Sequence, residues 1–232
     1  MPISVQDEIA ALIKQRTFGS SLDGVTDESV ERVRARWQDY GYVKAKVTGE
    51  ETTLASSPVG RNIALNFHVD EGSQYRLDGI TFKNNKAMGD VSKLRGLFPI
   101  NDGDIFSREK IATGLQNLSK AYGKIGYINF TSIPDSKFDD EKKLISLDIG
   151  IDEGKQFYVS SINVLGLDEQ ARQELLKELP IKRGQVYNSE VREFLPKYGF
   201  NLPDCGCDGE RRLNYHTGAV AITLDFRPCS AD

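Results

Sequence analysis

Cysteine is scarce in this 232-residue sequence, histidine scarcer, and no stretch stays apolar for long. Each shortage excludes something. Three cysteines and two histidines are few ligands for a transition metal. No apolar run approaches the roughly 20 residues a bilayer-crossing helix needs. No basic, apolar and small-residue leader opens the sequence, so the chain is expected to be cytosolic, a mature product or a piece of a longer protein. Thirty basic against thirty-four acidic residues give a formal charge of −4, which argues against a general binder of nucleic acid or anionic membrane. Gly103 and Gly184 stand alone rather than in a phosphate-cradling loop, and no nucleophile has a base at a recognisable spacing. His68 falls on the polar parity of a strand, and the acidic groups Asp70-Glu71, Asp139-Asp140-Glu141 and Asp152-Glu153 fall in turns. No enzyme, cofactor or metal is expected.

The cysteines, Cys205, Cys207 and Cys229, all lie near the end of the chain. With His216 they make a formal three-sulfur, one-nitrogen set, but Cys-x-Cys is not the usual two-residue knuckle spacing of zinc. A disulfide from Cys229 to either of the other two, in an oxidising compartment, and three incidental thiols are the readings that remain.

What the sequence does have is repetition. Pro99-Ile100-x-x-Gly103-x-x-Phe106-Ser107 returns 81 positions on as Pro180-Ile181-x-x-Gly184-x-x-Tyr187-Asn188. Tyr122-x-x-x-Gly126-Tyr127 has an earlier counterpart in Trp37-x-x-x-Gly41-Tyr42. Asp70-Glu71-Gly72-x-x-Tyr75-x-x-x-x-Ile80 returns 82 positions on as Asp152-Glu153-Gly154-x-x-Phe157-x-x-x-x-Ile162. Landmarks recurring in one order at one period of this length argue for tandem small domains rather than a solenoid. The boundaries read as 1–72, 73–154 and 155–232. Each copy is α+β, with a three-stranded sheet packed against two helices in the order βααββ.

The first copy opens on a helix with Val5, Ile9 and Leu12 at helical spacing, and its own first strand is expected ahead of Met1. Thr26 reads as the cap of a second helix with Val30, Val33 and Trp37 on its apolar stripe. From cap to helix-ending glycine the three copies span 15, 19 and 11 residues, Thr26 to Gly41, Ser107 to Gly126 and Asn188 to Gly199, differing by about one helical turn. Alternating Val43, Ala45 and Val47, then Ile63, Leu65, Phe67 and Val69, predict a hairpin with a long polar connection from Gly49 to Gly60. In the opening strands the apolar parity slips, between Leu77 and Ile80 and again between Val159 and Ile162. A bulge there would let the leading aromatic face the preceding domain, and simple edge irregularity is the alternative. The third copy diverges: Pro196 interrupts its second helix, Asn201 to Asp204 makes a poor strand, and Asp204 to Gly209 forms a rebuilt loop.

With no catalytic constellation, the remaining chemistry is backbone. A sheet covered by helices leaves an edge strand whose N–H and C=O groups can pair with an extended peptide. The first strand of each hairpin is the expected edge. That nominates Val43, Lys44, Ala45, Lys46 and Val47 in the first copy, and Ile128, Asn129, Phe130 and Thr131 in the strand predicted to run to Ile133 in the second. Lys44 and Lys46 also suit plain protection of an edge against aggregation.

The ordered set of strand, Pro-Ile-x-x-Gly-x-x-Phe-Ser, helix, Tyr-x-x-x-Gly-Tyr, hairpin and Glu-Gly resembles the POTRA (polypeptide-transport-associated) domain. The match is best over Tyr75 to Gly154, good over Thr26 to Gly72, and confined to the first half over Phe157 to Phe200. Tandem copies are similar to the periplasmic arm of the outer-membrane barrel-assembly and two-partner-secretion superfamily. The resemblance implies a periplasmic location and a C-terminal membrane β-barrel outside this chain. It also implies handling of unfolded outer-membrane or secreted polypeptides by strand addition, and docking of accessory periplasmic proteins or lipoproteins. Scaffold domains without peptide binding, like a related module of cell-division proteins, are the alternative.

Overall fold

The computed structural model describes residues 23–57, 60–188 and 211–227. The helix read at Val5 to Leu12, the second helix and poor strand of the third copy, and Cys205, Cys207 and Cys229 lie outside the described residues.

The described elements are α1 (Asp23–Asp39), β1 (Lys46–Ser57), β2 (Gly60–Asp70), β3 (Arg76–Lys83), α2 (Val91–Arg95), α3 (Arg108–Lys124), β4 (Thr131–Asp139), β5 (Leu144–Asp152), β6 (Tyr158–Leu165), α4 (Glu169–Glu178), β7 (Arg211–Asn214) and β8 (Ala219–Asp225). They make three sheets: β1-β2, β3-β5-β4 and β6-β8-β7. In the last, β6 runs parallel to β8 and β7 antiparallel to it, so the opening and closing strands of the βααββ unit are neighbours. By density of packing the chain divides into two compact units, one of Met1–Thr81, Phe98–Gly114 and Asp135–Asp148, the other of Phe82–Leu97, Leu115–Pro134 and Ile149–Asp232.

In the first unit, α1 lays Val33 and Trp37 against Ala45, with Tyr42, Val47, Phe67 and Val69 closing over them. Trp37 and Tyr42 meet edge to face with ring centroids 5.2 Å apart. The helix starts at Asp23, so Thr26 lies inside it and is not its cap. Consequently α1 and α3 are both 17 residues long, and the turn of difference inferred from the cap spacing is absent between them. Ser107 does cap α3, its Oγ accepting from the Lys110 N–H at 3.3 Å. The polar connection read from Gly49 to Gly60 is also not a loop. Strands β1 and β2 pair continuously from Lys46–Asp70 to Ser57–Gly60, with one register shift between Thr53 and Ala55. Thr48, Glu50, Glu51, Thr52 and Thr53 look like a loop because an edge strand need not be apolar.

In the second unit, Phe157 and Val159 from the opening strand join Leu175 and Leu179 of the α4 region, Ile181, Tyr187, and Val220, Ile222 and Leu224 of β8 in one buried core. The parity slip is a bulge: pairing of β6 to β8 shifts between Val159 and Ser161. Phe157 belongs to the same buried core as Val159, and Ile128 of the preceding copy packs against that core. A hairpin strand survives in this copy as the four-residue β7, later in the chain than the sequence suggests.

Candidate functional site

Two features recur in the described structure and follow from the repeated motifs. The first is a turn that thickens the opening strand. At Gly103 and Gly184 the backbone takes φ values of +87° and +85°, open to glycine at little cost, and a Cβ there would meet nothing within 4 Å. The turn sends the chain back along β3: the Gly103 N–H donates to the Leu77 carbonyl at 2.7 Å, Leu77 to Asp104 at 2.9 Å, and Phe106 to Tyr75 at 3.0 Å. The second copy of the motif does the same, with Gly184 to Val159 at 2.7 Å, Val159 to Gln185 at 2.8 Å, and Tyr187 to Phe157 at 2.8 Å.

The second feature is a latch at each helix end. Gly41 and Gly126 take φ values of +84° and +87° and close α1 and α3 in the Schellman pattern. Tyr42 N–H bonds the Trp37 carbonyl at 3.1 Å and Gly41 N–H that of Gln38 at 3.2 Å; Tyr127 to Tyr122 and Gly126 to Gly123 repeat this at 3.0 and 3.1 Å. The glycine carbonyls then accept from the next opening strand, Tyr75 N–H to Gly41 at 2.8 Å and Phe157 N–H to Gly126 at 2.9 Å. One residue earlier, Gln74 Nε2 donates to the Tyr40 carbonyl at 2.8 Å and Gln156 Nε2 to that of Ile125 at 2.9 Å. Orphan carbonyls of one helix are thereby satisfied by the strand that follows. The two glutamines escape sequence reading, although Gly-x-Gln-aromatic occurs at both places, 72–75 and 154–157.

The first latch also carries charged contacts. Asp39, at the end of α1, accepts from the Glu109 N–H at 2.7 Å and so caps α3 from outside it. Burial, against the pull of that hydrogen bond, pushes the Asp39 carboxyl above its ordinary range. Lys44 Nζ lies 2.5 Å from Asp140 Oδ1 and 4.8 Å from the centre of the Phe138 ring, and the Tyr75 hydroxyl donates to the same Asp140. The hydrogen bond from Lys44 holds the Asp140 carboxyl below its usual range.

These contacts relocate the nominated edge residues. Val43 and Lys44 sit in the turn after α1, Lys44 is committed to Asp140, and Ala45 is core at 5% exposure. Of that group only Lys46 and Val47 are on β1. Ile128 and Asn129 form a turn, Ile128 packs against the Phe157 core, and Phe130 stacks on Tyr122 with centroids 4.3 Å apart. Only Thr131 starts β4. Among the described residues β1 pairs with β2 alone and β4 is an outer strand of its sheet. Leu54 on β1 and Ile133 on β4 are 69% and 73% exposed. Pro134 interrupts β4, whereas β1 contains no proline. Among the described residues no three of His, Cys, Asp or Glu stand together as metal ligands.

The family model for POTRA, described as a surface antigen variable number repeat, matches residues 75–154. The crystal structure of Haemophilus influenzae BamA POTRA3-5 superposes with a TM-score of 0.63 at 23% identity, covering 91% of this chain and 84% of that one. Residues 75–154 match the POTRA family, and the chain shares the fold of tandem POTRA domains. Among curated relatives, the outer membrane protein assembly factor BamA of Neisseria meningitidis serogroup B is 24% identical over 187 residues, 76% of this chain and 22% of its own length. BamA of Buchnera aphidicola is 24% identical over 133 residues, 57% of this chain and 21% of its own length. The chain thus spans 21% to 22% of the length of these relatives.

In the POTRA domain at 75–154, Tyr122 is fully buried and its hydroxyl donates to Glu153 Oε1 at 3.1 Å, an oxygen that also accepts from the Ala87 N–H at 2.8 Å. Burial, then the Glu153 contact, push the hydroxyl well above the ordinary tyrosine range. Tyr122→Phe should cost about 1 kcal/mol in chemical denaturation at neutral pH. The pH dependence has a definite sign. The unfolded tyrosine ionises first, so the wild-type stabilisation is whole below a pH of about 10 and declines above it. The Phe variant should lose that part of the alkaline decline.

Proposed function

We propose that this chain is part of the periplasmic arm of an outer-membrane β-barrel assembly or secretion protein. Its POTRA domains would occupy 1–72, 73–154 and 155–232, and it would receive extended polypeptides by strand addition. The observation that carries the reading is β1, a proline-free outer strand over Lys46–Ser57 with one partner among the described residues. Its unpaired main-chain groups suit a peptide of almost any sequence. Strand β4 is the poorer dock, because Pro134 lacks a donor in mid-strand. The names of the BamA relatives support the assembly role. Partners in this reading are unfolded outer-membrane or secreted polypeptides, accessory periplasmic proteins or lipoproteins, and a C-terminal membrane barrel.

A scaffold role without peptide binding is the second reading, favoured by the two latches, each of which ties a helix end to the strand that follows it. Titrating the isotopically labelled chain with extended peptides copied from barrel strands separates the two. Strand addition predicts amide shifts along Lys46–Ser57 that vanish when prolines are placed in the peptide. A flat titration at millimolar peptide favours the scaffold.

A further inference from the structure

Strand β1 lies at the outside of its hairpin, as β4 and β7, its counterparts in the other two sheets, lie at the outside of theirs. Its residues Lys46, Thr48, Glu50, Glu51, Thr52 and Thr53 are exposed. One residue departs from what an edge strand needs. Gly49 is the single glycine of β1, and neither β4 nor β7 contains one. Glycine inside a strand weakens it, and it marks a bulge, a bend or a close approach by another group. No bulge is there, because pairing runs unbroken from Lys46 to Thr53 and the register shifts only between Thr53 and Ala55.

Across the hairpin Gly49 pairs with Phe67, and the Val47–Val69 and Glu51–Leu65 pairs flank it on the same face. Phe67 packs against the cluster of Val33, Trp37 and Ala45 but is only half-buried. A strand added outside β1 would run about 10 Å from β2, two strand spacings away. Over most positions of β1 the intervening side chain fills that gap. Over Gly49 it does not, so a long, flat side chain on the added strand can lie across the glycine and reach Phe67.

We propose, resting on strand addition at β1, that this dock selects extended segments with an aromatic residue opposite Gly49, the ring lying over the glycine against Phe67. An aromatic neighbour on the next strand is a known remedy for glycine at a sheet edge. The flanking positions on that face extend the pattern. Val47 suits an apolar residue, and Glu51, which faces the uncharged Leu65 across the hairpin, suits a basic one. The segment that fits therefore reads basic, any, aromatic, any, apolar in one strand polarity and the reverse in the other.

The test uses the whole isotopically labelled chain and a short threonine–valine host peptide with phenylalanine, leucine or alanine replacing its central valine. Read from the amide shifts of Lys46–Thr53, the phenylalanine peptide should bind about two- to tenfold more tightly than the alanine peptide, with leucine between. Its ring protons should show Overhauser contacts to the α-protons of Gly49 and to the ring of Phe67. Gly49→Thr, which fills the gap, should erase the preference. Equal binding of the phenylalanine and alanine peptides on β1 overturns the selection and leaves strand addition standing. A preference that survives Gly49→Thr, or ring contacts that miss Phe67, does the same. If that variant does not fold, the ring contacts of the unaltered chain decide. No shift on β1 with any of the peptides at millimolar concentration overturns the dock itself and the selection with it.

Discussion

Gly114→Ala should destabilise the protein by about 2 kcal/mol, although alanine is the better helix former. Gly114 lies inside α3, where replacing glycine normally gains about 1 kcal/mol. Here a Cβ would stand 2.0 Å from Cδ1 of Phe98 and 2.5 Å from two more atoms of its ring. Phe98 is itself buried, so the ring cannot swing aside without surrendering its own burial. Overpacking of this kind costs about 1 to 3 kcal/mol and expulsion of the ring about as much, so the clash outweighs the propensity gain. Denaturant melts of Gly114→Ala and of Gly114→Ala with Phe98→Leu check this. The smaller side chain should return part of the loss, and a Gly114→Ala variant more stable than wild type would show that the ring yields freely.

The second large effect is at the latches. Gly126→Ala should cost about 3 kcal/mol and Gly103→Ala only about 1 to 2 kcal/mol, although both glycines have positive φ. At Gly103 the added methyl meets open space and only left-handed strain is felt. At Gly126 it falls 2.6 Å from Val186 Cγ1 and 3.0 Å from the Phe157 carbonyl oxygen, so the strand must back away. Gly41→Ala repeats the case at the first latch, with the Tyr75 carbonyl 2.7 Å away. Hydrogen exchange distinguishes the two kinds of damage. In Gly126→Ala the Phe157 amide should lose protection far more than those of Val220 and Ile222 in β8. Uniform loss across all three would mean that the latch is not a separable unit.

Much of this was legible in the sequence, and the failures have a common cause. The tandem βααββ order, the glycine-ended helices and the parity slip that proves to be a bulge in β6 show in residue pattern because each is set by side chains or by the need for glycine. The start of the hairpin does not. Val43, Ala45 and Val47 alternate like a strand, yet the Ala45 N–H closes a turn on the Tyr42 carbonyl at 3.0 Å. Phe130 likewise bonds back to Tyr127 at 3.2 Å. After a Schellman end the chain must wrap the helix it has just left, and wrapping buries alternate residues without any sheet. The latches were invisible for a different reason, since their key acceptors are the main-chain carbonyls of Gly41 and Gly126. Lys44 reads as an edge residue in the sequence because its partner, Asp140, lies 96 positions away, beyond the reach of local pattern.

Pro134 carries a consequence for how concentrated solutions of this protein behave. A growing fibril recruits each new chain through an uninterrupted row of donors and acceptors. A proline in an outer strand stands with its nitrogen toward solvent, so β4 offers a row broken near its middle. Recruitment through β4 therefore stalls after a few residues, and that edge terminates polymers where it would otherwise seed them.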